Sequence, residues 1–446
     1  MNQQSTLVGL FKEVYGSNII EAWSFMAKLA KRVNFVAAEQ QPGGNYNQPV
    51  DVQFEHGISS AAAGTTPGAA SSPLFFSPTA GQMQNAQITG AQLVGRSQVS
   101  YEAIARSANS KGAFKQATQH VVRRLSQAVI KRLEIQLLHG QAQCGIVASA
   151  AAETGGAGAY FTVVTLTDAE WSTGLWAGMV GAYIDVFQSG GAARVGNNIN
   201  TGATSGNTGW CRVSAVDTAA KTVTLNYGTT MTVTANDVLM FANGGNGSGT
   251  LTTLAQTRAN EMAGLDFITS LNASSGTFQN IATGTYDLWR ANQYSSSTGV
   301  LSFPKLLEAA GLAASYGLVD DLVAVISPRA FEVLNSDIAA LRQYDASYTP
   351  ARGENGVSKL LFNGQTGAIE VMPHAFQKDG LAHLFCPNEA LRVGASDVGF
   401  ITRQGSEDRL ILESSTAAAS EMRAYSNQAL FISQPRHTVR MAGLTY

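Results

Sequence analysis

Residues 111–139, KGAFKQATQHVVRRLSQAVIKRLEIQLLH, constrain the fold more than any other stretch of the chain. Phe114, Ala117, Val121, Leu125, Ala128, Leu133 and Leu137 fall at helical spacing and make one continuous apolar stripe. From Phe114 to Leu137 such a helix runs roughly 35 Å at about 1.5 Å per residue. Gly140 follows, as glycine often does at a helix C-terminus. Lys111, Lys115, Arg123, Arg124, Lys131 and Arg132 crowd the remaining circumference, and Glu134 is the only acid between 111 and 139. The segment reads as a long, basic, one-sided helix.

The chain before it changes character once. Residues 1–40 read as helical, with Leu7, Leu10, Phe11 and Val14 on one apolar face and Ile19, Trp23, Met26 and Ala30 on another. Lys12, Lys28, Lys31 and Arg32 lie among them, so this basic amphipathic arm is either a contact for nucleic acid or a partner, or a solvated face. Residues 41–100 are rich in Gly, Ser, Pro, Gln and Ala, with β-like pieces at Val50–Phe54 and Gln92–Tyr101. A loop this long in a compact domain is functional or disordered. An extended two-stranded arm would use the same sequence, and such an arm needs a neighbour to lie on.

After the helix, residues 141–160 read as a connection. Residues 161–250 turn β-rich, with strands expected at Tyr183–Phe187, Cys211–Val216, Thr222–Tyr227, Met231–Thr234 and Val238–Phe241 between Gly, Asn and Asp turns. This is the pattern of a small inserted β-barrel or β-sandwich. From 251 onward helix and strand alternate. Lys305–Ser315 reads as a helix and Leu322–Ile326 as a buried strand. Ser327-Pro328 then opens a helix toward Arg342, as an N-cap with proline at the first helical position. The C-terminal part is mostly strands, from Ile369–Met372 to Leu430–Ser433.

Sites of chemistry are hard to find. No phosphate loop, zinc spacing, nucleophile elbow or dinucleotide fingerprint occurs, and the six histidines are dispersed. His374 and His383 flank a turn and could meet across it, but two histidines lack a third ligand. Cys144, Cys211 and Cys386 show no pairing pattern and read as reduced thiols. No catalytic residue, cofactor or metal is expected. Charged residues make up only 13% of the chain, against about 25% in an average soluble protein, so its surface suits a life packed against neighbours. The net charge of −2 argues against a dedicated nucleic-acid binder and leaves room for a local basic face. Neither a signal peptide nor an apolar run of membrane-spanning length is seen.

The order of elements resembles the HK97-type major capsid proteins of tailed bacteriophages. Two stretches add to the resemblance: Gly276–Asn292, GTFQNIATGTYDLWRAN, and Val323–Leu334, VAVISPRAFEVL. The resemblance implies an α+β HK97-like fold. It would comprise an N-terminal arm (1–45), an extended loop (46–105), and a spine helix with the start of a peripheral domain (106–160). An inserted β-rich domain (161–250), an axial domain (251–368) and a return to the peripheral domain (369–446) would follow. The implied function is a major capsid protein that self-assembles into pentamers and hexamers of an icosahedral head enclosing double-stranded DNA, built in a host cytoplasm. By segment, candidate subunit contacts are Leu74, Phe75, Phe76, Arg96, Tyr348 and Arg352. Lys28, Lys31, Arg32, Arg123, Arg124, Lys131 and Arg132 are the candidate inner basic face, toward packaged DNA or a neighbour's acids. Implied partners are further copies of the chain, a portal, a separate scaffolding protein (the arm begins near Met1) and a decoration protein. Some relatives cross-link through a loop lysine. None occurs between Lys31 and Lys111, so a non-covalent shell is expected. The alternatives are an encapsulin-like compartment shell with the same fold, and a β-rich surface or tail adhesin.

Overall fold

The computed structural model describes residues 27–37, 45–56, 58, 80–102, 111–156, 159–194, 211–228, 230–242, 254–271, 276–336, 360–365, 367–400, 412–413 and 419–446. Of 45, 111–120, 256–257, 297–298 and 412–413 it describes the backbone alone. The expectations for residues 1–26, for Leu74, Phe75 and Phe76, and for Tyr348 and Arg352 lie outside the described residues.

Helix α2 (Lys111–His139) organises the molecule; the short α1 (Lys28–Arg32) precedes it. Where its side chains are first described, α2 is one-sided as the sequence implies, except that Ala128, expected on the apolar stripe, is exposed. Val121, Leu125 and Val129 form a small core with Met422 and Ala424, while Arg123 and Arg124 are exposed. Gly95 makes this packing possible, because a Cβ there would sit 2.4 Å from Val129 Cγ2. The C-terminal part departs from the one-sided reading: from Leu133 to His139 every residue is buried, because structure converges on it from several directions. The end of the helix also differs in detail. The left-handed residue there is Gln141 (φ 61°), not Gly140. Gly140 is needed because the following chain crosses it closely: a Cβ would lie 2.3 Å from Met262 O.

One five-stranded sheet lies along the first part of α2. In it β1 (Asn34–Ala37) runs parallel to β19 (Ala390–Phe400), which pairs antiparallel with β21 (Ala419–Ile432). On the opposite edge of β21 lies β4 (Ala91–Ser100), and β20 (Leu412–Glu413) pairs with the start of β21. Residues 34–37 are therefore strand, where the sequence periodicity predicts helix through residue 40. Register with Leu391–Gly394 supplies their backbone partners and overrides the weak local preference. Likewise Gln92–Tyr101 does not pair with Val50–Phe54. The two-stranded arm is β2 (Asn45–Gln53) with β3 (Gln82–Thr89).

Seven strands form the second unit. They run β8 (Ile184–Phe187), β11 (Val238–Phe241), β5 (Gly145–Ala150), β7 (Ala159–Leu166), β10 (Thr222–Tyr227) and β9 (Cys211–Asp217), with β6 (Thr154–Gly156) beside β7. Gly181 N to Val213 O (2.7 Å) and Val213 N to Ala182 O (2.9 Å) join the two edges, so the sheet closes into a small barrel. Its interior is filled by residues such as Val147, Val164, Val186, Val213, Val223, Leu225 and Leu239. Residues 141–160 are thus not a mere connection, since they supply β5 and β6. Met231–Thr234 is not a strand. Met231 N instead donates to Glu153 Oε2 (2.9 Å).

A six-stranded sheet completes the fold, in the order β14 (Asn292–Gly299), β22 (Val439–Leu444), β18 (Leu381–Phe385), β15 (Leu322–Ile326), β17 (Ala368–Pro373) and β16 (Leu360–Asn363). Two helices pack on it, α6 (Phe303–Ala314) and α7 (Pro328–Ser336). Ser327 caps α7 as its sequence predicts, its Oγ accepting from Ala330 N at 3.1 Å. Segment 369–446 does not return to one sheet as a piece. β17, β18 and β22 stay with β15, and β19–β21 join β1 and β4. Alternating strands alone carry no information about which sheet they join.

Candidate functional site

Two places stand out: a buried charge junction at the C-terminal end of α2, and an exposed hairpin. Glu134 begins the junction. Fully buried, it accepts from Ala30 N (2.8 Å) and Leu29 N (3.3 Å) of α1 and contacts His374 Nε2 (3.1 Å) beyond β17. One carboxylate thus ties the arm, the helix and the six-stranded sheet together.

A second carboxylate, Asp266 on α5 (Leu265–Ser270), does the same a turn further on. (Helices α3, Thr173–Trp176, and α4, Leu254–Ala259, lie between it and α2 in sequence.) Asp266 lies 3.2 Å from His139 Nδ1, 3.1 Å from Arg440 Nε and 3.4 Å from Lys378 Nζ. Lys378, fully buried, also donates to Glu170 Oε2 (2.6 Å) and Gln143 O (2.7 Å) on the barrel side. Burial opposes the charge on both Asp266 and Lys378, and their charged partners outweigh it. The Asp266 carboxyl is held well below its usual range, by Lys378 first, and the Lys378 ammonium is pushed up by Glu170 and then by Asp266. Two acids, Asp266 and Glu170, balance two bases, Lys378 and Arg440. Such balance is what allows charge to be buried at all.

His383 completes the junction. Thr269 Oγ1 gives its proton to Leu265 O (2.7 Å), so it accepts from His383 Nδ1 (3.1 Å). Nε2 is then a bare acceptor 3.9 Å from Asp266 Oδ1, with no hydrogen-bond partner among the described residues. Burial pushes the His383 pKa down to about 3, although Asp266 pulls it up. His374 and His383 therefore do not meet; each faces its own carboxylate. All three cysteines are free and buried, and burial raises the Cys144 thiol to about 12.

The β2–β3 hairpin is the opposite case. Along its length it is held by Val52, Ala86 and Ile88 in the main core and by Gln87 N donating to Gln279 O (2.9 Å). Its far end leaves Phe54 74%, Ile58 89% and Met83 65% exposed. Nothing among the described residues of the chain covers them.

The sequence-derived candidates divide. Arg96 is half exposed on β4 and pairs with Glu421 (2.6 Å), which Arg423 and Gln98 also contact. Burial would raise the Glu421 pKa, but these partners bring it down to about 2. Lys28 donates to Pro373 O (2.9 Å) and Arg32 pairs with Glu370. Lys131 donates to Ala177 O (2.5 Å), and its pKa is lowered by burial. Arg132 pairs with Glu261 (2.8 Å) and lies 4.3 Å over the Phe241 ring. These four cations hold elements of the chain together. Lys31, Arg123 and Arg124 are exposed. The junction residues Asp266, Lys378 and Glu170 carry no sequence signal. Glu134 does: a lone acid on a basic helix.

No protein-family model matches the chain, and no curated protein matches it. Solved structures do. A chain of the cyanophage A-1(L) capsid asymmetric unit is similar over 100% of this chain and 99% of that one, at 10% identity and TM-score 0.52. A chain of the native GTA particle capsid covers 97% and is covered over 95%, at 9% identity and TM-score 0.46. One from Mycobacterium phage Bobi covers 100% and 99%, at 9% identity and TM-score 0.42. The likeness to the cyanophage capsid chain establishes the fold: an α+β capsid fold of the HK97 type.

Proposed function

We propose that the chain is the major shell subunit of a tailed-phage head. It assembles with copies of itself into rings of five and six, which tile an icosahedral shell around double-stranded DNA. One observation carries this reading: on a capsid-type fold, a two-stranded hairpin holds large apolar side chains away from its own subunit. Exposed apolar patches of this kind mark interaction surfaces. A second copy is the natural cover, because repeated head-to-tail contacts close into rings. Obligate contacts of that sort commonly bury over about 2,000 Å². Lys31, Arg123 and Arg124 supply sequence-independent, salt-sensitive contacts to phosphate. A scaffolding protein, a portal and a decoration protein are the expected helpers, and assembly takes place in a host cytoplasm. No helix among the described residues is long and apolar enough to cross a membrane.

Electron microscopy of the purified protein, with and without a co-expressed scaffold, tests the proposal. Closed shells or rings of five and six are expected, with nucleic acid inside mature particles. Shells filled with protein would move the assignment to a compartment shell. A monomer or trimer under every condition would overturn it in favour of an adhesin.

A further inference from the structure

The six-stranded unit is joined to the rest of the chain at three places: where β14 begins, between β18 and β19, and between β21 and β22. These three links meet. Asn292 Nδ2 donates to Arg436 O (2.6 Å) and Asn292 N to Thr438 O (2.9 Å), which ties the first link to the third. Ser433 N donates to Glu389 O (3.0 Å), which ties the third to the second. His437, buried at this meeting point, adds two contacts of its own. Its Nδ1 lies 2.7 Å from Glu389 Oε1 on the second link, and its Nε2 lies 3.2 Å from Tyr316 O, just past the end of α6.

A carbonyl and a carboxylate only accept, so both ring nitrogens of His437 carry protons and the ring is an imidazolium. The surrounding charge agrees. The bond to Glu389 raises the His437 pKa above its ordinary 6.5 against burial, and Asp320, between α6 and β15, adds to it. Of the other ionisable groups on these links, Arg436 stacks 3.9 Å over the Tyr316 ring, Cys386 is a buried thiol, and Asp287 and Arg290 stand just before β14. A neutral imidazole keeps one N–H and can serve only one of the two acceptors. We propose that His437 is a proton-held latch: doubly protonated, it pins the second and third links to the end of α6, and loss of its proton as the pH rises frees the six-stranded unit to shift against the rest of the chain. The direction follows from the raised pKa. The latch's stabilisation is complete below pH 6.5 and is lost as the pH climbs through the folded-state value, the reverse of His383. Arg440 still holds β22 to Asp266 (3.1 Å), so release loosens the unit without detaching it.

Amide hydrogen exchange of the full chain at about pH 6 and about pH 9, corrected for the chemical exchange rate, tests the latch. The amides of Asn292, Ser433 and Thr438 are expected to lose protection on the order of tenfold at the higher pH, while those in the middle of β15 keep theirs. His437→Gln exposes the same amides at both pH values and removes the pH response. Glu389→Gln keeps the size of the side chain, removes its charge and moves the release to lower pH. Equal protection of the native chain at both pH values, or a pH response that survives His437→Gln, would overturn the proposal. Ring-nitrogen NMR of the native chain gives a reading that needs no variant to fold. Both nitrogens of His437 carry protons at about pH 7 if the latch exists, and a neutral ring there would sink it.

Discussion

The junction around Asp266 and Lys378 and the end of the β2–β3 hairpin handle the same problem in opposite ways. At the junction, charged groups that water would solvate well are enclosed, and each finds its partner on another element of the same subunit. At the hairpin, apolar groups that a core would take up are left in water. The first arrangement makes the subunit one body: arm, spine helix, barrel and six-stranded sheet meet at three carboxylates. The second leaves an apolar surface open. On the proposed shell function, stability and assembly are thereby located in different residues, so mutations can separate them.

The sharpest contrast comes from Lys378→Met. It leaves Glu170 and Asp266 buried without their shared cation and is expected to remove about 3–5 kcal/mol from the unassembled subunit. Urea unfolding measures this, and a loss under ~1 kcal/mol would break the comparison by placing the junction in water. Glu134→Gln comes next. An amide cannot serve the donors at Leu29, Ala30 and His374 as a carboxylate does, so about 1–3 kcal/mol is lost. Limited proteolysis reads it out as faster cleavage around α1.

Acid sharpens the comparison further. His383 titrates near 3 in the folded chain against an ordinary 6.5, so protonation favours the unfolded chain. Its contribution is complete above pH 6.5 and is lost as pH falls toward 3, by up to ~1.4 kcal/mol per pH unit. Glu421, held at about 2, adds a further loss below its ordinary 4.5. His383→Gln flattens the stability profile between pH 6.5 and 4.5, and an unchanged slope would remove His383 from the account. The smallest expected effect on the subunit is at the hairpin. Phe54→Ser changes its stability by less than about 0.5 kcal/mol. The same substitution reduces shell yield under electron microscopy, and normal yield would show that the hairpin end carries no assembly contact.

Much of this molecule is readable in its chain. The α2 stripe, the Ser327-Pro328 helix start, the five buried residues of β15 and most barrel strands follow from local spacing and caps. The two-stranded arm is legible as a kind of structure but not in its register: Gln92–Tyr101 looks like the partner of Val50–Phe54 and belongs to β21 instead. Residues 34–37 look like helix because their neighbours are periodic, and they become strand only because β19 offers them a ladder. Of the basic residues, sequence marks the cations but not their partners. Lys131 and Arg132 look solvated on a helical wheel and are covered when the barrel folds down beside them.

The local pattern by itself determined the long helix α2, the presence of a two-stranded arm and a β-rich region, because these depend on residues a few positions apart; that the arm buries Val52, Ala86 and Ile88 in the main core was not legible. Only the tertiary structure decided the closing of the barrel, the division of 369–446 between two sheets and the charge junction. Asp266, Lys378 and Glu170 come from segments about a hundred residues apart or more. Their pairing follows from three-dimensional packing, where a charge is tolerable only if its partner arrives with it, and no spacing along the chain records that.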